Sequence, residues 1–256
     1  MTRRWRAAAA LAALLAAVPA LGYLLPVTGI LKRLAQRREN LALGSLEVRG
    51  TFFMGGEAGK AASQATGIPL IGFEVSVPAI VSIKMPGRCR LELAPPDLSD
   101  ADRPAVVVRQ GKMTGAKGLE RSAQAQALLR SVCAVLGERP GGAEPDRPYA
   151  EELARLGVPL GDVYLGRFGG RVAYVLGARP QEKKPQAWVD KQTFQPVRVV
   201  STLGGTLFDV RLLDYGSPVG GDWFPRAVEV HEGGELRARF VTEKVAANPR
   251  IPDALF

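Results

Sequence analysis

The hydrophobic positions change period along the chain. Between Thr28 and Arg38, Ile30, Leu31, Leu34 and Ala35 recur at helical spacing with basic residues on the other face, which predicts a short amphipathic helix. The period then drops to two: Leu46, Val48, Gly50 and Phe52 alternate with Glu47, Arg49, Thr51 and Phe53. The Gly/Ala/Ser stretch from Gly55 to Gly67 reads as a loose connection. Beyond it Phe73, Val75, Val77, Ala79, Val81 and Ile83 share one side, the strongest periodic signal in the sequence. Pro78 has no N–H for a ladder, so an edge, bend or bulge is expected there. Pro86-Gly87 is a turn, after which Cys89, Leu91 and Leu93 point inward.

The segment from Pro104 to Lys112 is a short strand ending in a glycine turn. From Leu119 to Leu136 a helix is expected, with Ala125, Leu128, Leu129, Val132, Cys133 and Leu136 on one face and Gly137 stopping it. A Gly/Pro-rich loop leads to a second, shorter helix from Pro148 to Gly157. From Gly161 onward only strands are read, separated by Gly169-Gly170, the stretch from Lys191 to Gln195, Gly204-Gly205 and the turn from Glu232 to Glu235. Roughly ten strands with helices confined to the start and middle predict a mainly β, α+β fold: one large curved antiparallel sheet with helices against one face.

Composition places this domain in a compartment. Met1 to Arg6 carries three arginines and no acid, and an Ala/Leu run leads on to Val18-Pro19-Ala20. This is a secretory signal expected to be cut after Ala20, leaving residues 21–256 as a single exported domain. The rival reading is an uncleaved inner-membrane anchor, since apolar residues continue to Val27; Pro19, Gly22 and Pro26 interrupt it. The net charge is +9, from 34 basic and 25 acidic residues, spread along the chain without a basic block or interleaved stacking aromatics. Nucleic-acid binding is therefore not expected; attraction to anionic membrane surfaces or acidic partners is.

Catalysis needs a constellation, and none is found. His231, the only histidine, sits on the polar phase of a strand beside a Gly-Gly turn and is expected to be exposed. Two cysteines and one histidine, far apart, make no zinc site. There is no nucleophile elbow and no phosphate-binding loop, and Glu151-Glu152 reads as the solvated face of a helix. The chain is thus expected to be no enzyme and to need no cofactor and no metal. It does have more apolar sheet face than its helices cover. That leaves two readings, a concave apolar cavity or a well-packed core without one.

The order of several motifs resembles the LolA/LolB-like outer-membrane lipoprotein-sorting family. These are an N-terminal helix, the strand from Ser45 to Thr51, the turn and strand from Lys84 to Leu93, and the turn from Arg109 to Lys112. The hairpin from Ala187 to Arg198, the Asp222 to Arg226 stretch and the ending from Asn248 to Phe256 are similar to the second half of that family's domain. The resemblance implies an unclosed β-barrel of about eleven antiparallel strands under a helical lid. It further implies a periplasmic carrier of lipoprotein acyl chains or another lipid, acting as a monomer between membrane-bound loading and receiving proteins. An envelope sensor or adaptor on the same scaffold, binding lipid to regulate a partner, is the alternative. The cavity lining expected from the inward phases is Val75, Val77, Val81, Ile83, Leu91, Phe208, Val210 and Phe240, and the lid face is Leu128, Leu129, Val132 and Leu136. In that family a basic residue between the lysine and proline of the turn holds the lid; Met85 stands there, which leaves Arg88 as the candidate latch. Cys89 lies on an inward strand phase and Cys133 on the lid helix. In an oxidising compartment pairing is expected, the other reading being two separate buried small hydrophobes.

Overall fold

The computed structural model describes residues 24–256; the expected signal and its cut after Ala20 lie outside them. Twelve strands are present: β1 (Ser45–Gly55), β2 (Glu74–Lys84), β3 (Arg88–Leu93), β4 (Ala105–Arg109), β5 (Lys112–Ala116), β6 (Val163–Phe168), β7 (Arg171–Gly177), β8 (Gln186–Asp190), β9 (Pro196–Leu203), β10 (Thr206–Leu213), β11 (Ala227–Glu232) and β12 (Glu235–Ala247). The helices are α1 (Val27–Asn40), α2 (Gly56–Thr66), α3 (Ala123–Leu136) and α4 (Arg147–Arg155). No helix among the described residues is long and apolar enough to cross a membrane.

All twelve strands form one antiparallel sheet in the order β5-β4-β3-β2-β1-β12-β11-β10-β9-β8-β7-β6. Two meanders, β1 to β5 and β6 to β12, are therefore sewn together where β12 returns to pair with β1. The sheet does not close, because β5 and β6 each have one partner. Register carries the apolar phase across it: Phe52 lies opposite Val77 on one side and Phe240 on the other, Val81 opposite Leu91, and Val210 opposite Val230. Gly50 is required where Phe240 crosses β1, since a Cβ there would overlap the Val241 carbonyl.

Pro78 causes no register shift between β1 and β2. Its carbonyl accepts from Ala94 N at 2.7 Å, beyond the end of β3. In a strand the N–H and C=O of one residue point the same way, so its missing N–H falls where the β3 ladder has already ended.

Three elements differ from the pattern reading. Residues 56–66 form α2, with Ala58, Ala61, Ala62 and Ala65 on one side and Gly67 as a left-handed C-cap. The expected helix from Leu119 begins as a single 3-10 turn, Leu119–Arg121, and becomes α3 only after Ser122, whose hydroxyl accepts from Ala125 N. The glycine turn at Gln110-Gly111 does not end the meander but leads into β5.

Candidate functional site: the concave face and its helical cover

α3 crosses the concave face from β3 and β4 to β9, β10 and β11, while α2 covers β1 and β2. The eight expected lining residues are brought together under these helices, each no more than 1% exposed. They share one continuous core with Leu128, Leu129, Val132 and Leu136. Helix side chains thus pack against the face, with a small gap of about 10 Å³ between α2 and Leu93, Pro104, Leu119 and Ser122.

The two ends of α3 are held very differently. At its C-terminal end Cys89 and Cys133 are joined by a disulfide, with 5.9 Å between Cα atoms. Gly137 comes next with an ordinary right-handed φ of −84°. Its lack of a side chain serves the bridge, because a Cβ would come within 2.9 Å of both sulfurs. Gly87 N donates to Gly137 O at 2.9 Å, and Tyr149 OH donates to Glu138 O at 3.2 Å. At the other end, beyond its own cap, Gln124 Nε2 donates to Glu232 Oε2 at 3.2 Å.

Arg88, the candidate latch, lies on the opposite face of β3 and pairs with Asp253, as does Lys84. Arg38 instead ties α1 to the end of α3: Nη2 donates to Leu136 O at 3.0 Å and Nη1 to Trp223 O at 3.1 Å. It is 5% exposed, and burial pulls its pKa down, opposed by the neighbouring Tyr149 and Tyr215. The sequence carries a signal for this role, since Arg38 lies at i+7 from Leu31 and i+4 from Leu34 and so continues the apolar stripe of α1, not its basic face.

Glu138 was not singled out by pattern, yet it is 7% exposed at the fastened end of the lid. Burial, and then the charge of Glu152, push its carboxyl up to about 7, with Arg155 opposing. Glu152 is itself buried and paired with Arg155, so it is not the solvated residue expected from the helix pattern. For an acid with a raised folded pKa, stability is greatest below the unfolded value of 4.5. It falls as pH rises toward about 7 and is level above that. Glu138→Gln is therefore expected to raise the urea midpoint at pH 8 and leave it nearly unchanged at pH 4. After allowance for solvent screening the gain is on the order of 2 kcal/mol. An equal shift at both pH values would show that ionisation of Glu138 is not the cause.

His231 also departs from expectation: it is 8% exposed, with Nε2 at 3.0 Å from Glu229 Oε2, because cross-strand neighbours on the outer face enclose it. The inward run of β2, by contrast, starts in solvent. Phe73 is 92% and Ile71 82% exposed, in a turn closed by Ile71 N to Glu74 O at 2.9 Å. The buried run thus begins at Val75, and Phe73, expected on the same side, stands in the turn just outside it, at the end of the sheet where α2 and the start of α3 lie.

No protein-family model matches the chain, and no curated protein matches it. Solved structures are similar over most of its length. A LolA superfamily protein from Nitrosomonas europaea is 13% identical with a TM-score of 0.47, covering 91% of this chain and 98% of that one. A putative outer membrane lipoprotein-sorting protein domain from Vibrio parahaemolyticus is 12% identical with a TM-score of 0.40, covering 88% and 94%. A DUF1329 family protein from Desulfovibrio piger is 12% identical with a TM-score of 0.44, covering 90% and 96%. The first two bear the names of the family that the motif order resembles. At these TM-scores they bear on nothing further, and the functional reading rests on the geometry of the face and its cover.

Proposed function

We propose that the protein is a periplasmic binding protein that carries lipoprotein acyl chains or another lipid against the concave face of its sheet, exchanging them with membrane-bound partners. The observation that supports this is a continuous apolar face under a helix fastened covalently at one end and by few polar contacts at the other. Opening would swing the Ser122 end of α3 about Cys133. Phe73 marks the end of the buried run at which a chain would enter.

The energetics suit exchange. Burying ten acyl methylenes contributes about 8 kcal/mol at about 0.8 kcal/mol each. Uncovering Leu128, Leu129 and Val132, on the swinging side of Cys133, costs about 4.5–9 kcal/mol at 1.5–3 kcal/mol per side chain. These terms nearly cancel, so cargo can be held and released without covalent chemistry. Organic extraction of protein purified from an exporting host, combined with mass spectrometry, is expected to yield bound acyl lipid. Titration with a fluorescent fatty acid is expected to saturate near one site per chain. A lipid-free extract together with no saturable binding would sink the carrier reading and leave a scaffold with a filled core.

A further inference from the structure

The sheet ends in two edge strands. On β5 the 3-10 turn Leu119–Arg121 packs against one face, with Glu120 set so closely over Gly115 that no Cβ would fit, and the strand is otherwise largely exposed. β6 is bare. Gly177 N donates to Asp162 O at 3.1 Å, which fixes the alternation: Tyr164, Gly166 and Phe168 turn their backbone groups toward β7. Val163, Leu165 and Arg167 turn theirs outward, and none of those N–H or C=O groups finds a protein partner among the described residues. The strand has no proline and no bulge, two common devices that protect an edge. Leu165 is 45% exposed beside an open groove lined by Tyr164, Arg179, Pro180 and Gln181.

Charge indicates the occupant. Between Asp162 and Lys184 the chain carries Arg167, Arg171, Arg179, Lys183 and Lys184 against only Asp162 and Glu182. Arg171 is paired with Asp190 and Lys184 with Glu182, and Lys183 lies in a groove over β9 and β10, whereas Arg167 and Arg179 stand at β6 with no ion-pair partner among the described residues. We propose that β6 accepts an extended acidic segment of a partner protein as a thirteenth strand, its backbone pairing with Val163, Leu165 and Arg167 and its carboxylates meeting Arg167 on one face and Arg179, which lies over the Tyr164 ring, on the other. This does not depend on whether the concave face holds lipid.

The probe is an acetylated, amidated decapeptide in which pairs of valines alternate with pairs of glutamates, so that an added strand carries carboxylates on both faces, tested against its valine/lysine counterpart. The acidic peptide is expected to bind at least tenfold tighter and to protect the amides of Val163, Leu165 and Arg167 from hydrogen exchange. Arg167→Glu with Arg179→Glu is expected to weaken it at least tenfold. Leu165→Pro, which deletes an outward N–H not used in the fold, should abolish it with thermal unfolding of the variant little changed. Equal binding of the two peptides, protection elsewhere, or undiminished binding by both variants would overturn the proposal. So would a concentration-dependent dimer of the free protein that Leu165→Pro dissociates, since the occupant would then be a second copy.

Discussion

Replacing both Cys89 and Cys133 with alanine is expected to lower the unfolding free energy by about 4 kcal/mol and to speed acyl exchange at the concave face. The bridge spans 44 residues, and for a loop of that length the chain-entropy account gives about 4 kcal/mol. The two residues are also 0% and 3% exposed, so alanine adds a small packing loss. The second effect comes from position. The bridge fixes one end of α3 over β3, next to the Gly87 to Gly137 and Arg38 to Leu136 contacts. Without it those hydrogen bonds alone locate the pivot, and the helix can leave the sheet at either end. Urea unfolding of the oxidised parent, the reduced parent and the double variant provides the check, the reduced parent being expected to lie close to the variant and above it by the small packing loss. Two free thiols in the denatured, unreduced parent, or a variant within about 1 kcal/mol of it, would rule out a stabilising bridge.

Local pattern was enough for most of the strands, because each buries one face and exposes the other. β2 is the clearest case, with Val75, Val77, Ala79, Val81 and Ile83 all within 1% of full burial. α2 was illegible for a physical reason: the face it turns inward is alanine and glycine, with no large apolar side chain to mark it, and Gly59 presses against the Met54 carbonyl while Ala62 packs beneath. β5 is an edge strand with a glycine near its end and no apolar phase to bury. The pairing of β1 with β12, which converts two meanders into one sheet, joins Leu46 to Ala247 and leaves no trace in either strand alone. The site divides the same way. Its apolar lining comes from period two and the burial of Arg38 from its place on the apolar stripe of α1, whereas Glu138 and Glu152, at the fastened end of the lid, are buried by contacts between helices that no single segment announces. Arg88 illustrates the converse, since its strand phase already turns it away from Cys89 and Leu91, hence from the lid.

Val77→Glu is expected to abolish acyl binding, the largest effect on function of any single change at the concave face. Val77 is fully buried, opposite Phe52 in β1, on the buried run that begins at Val75. A carboxylate there loses its hydration whether the cover is closed or a chain lies against the sheet. The protein can relieve that cost only by protonating the group or by letting water into the face. The closed state should lose about 3–5 kcal/mol, the range for an uncompensated buried charge. Binding of a fluorescent fatty acid should fall at least tenfold because the chain meets a charge where it needs hydrocarbon. Val77→Met separates the two effects, since it adds bulk without charge and is expected to cost about 1–3 kcal/mol while keeping binding within a few fold. Circular dichroism and a cooperative urea transition establish that each variant is folded. A folded Val77→Glu protein that binds the probe as the parent does would place the acyl chain elsewhere than on this face.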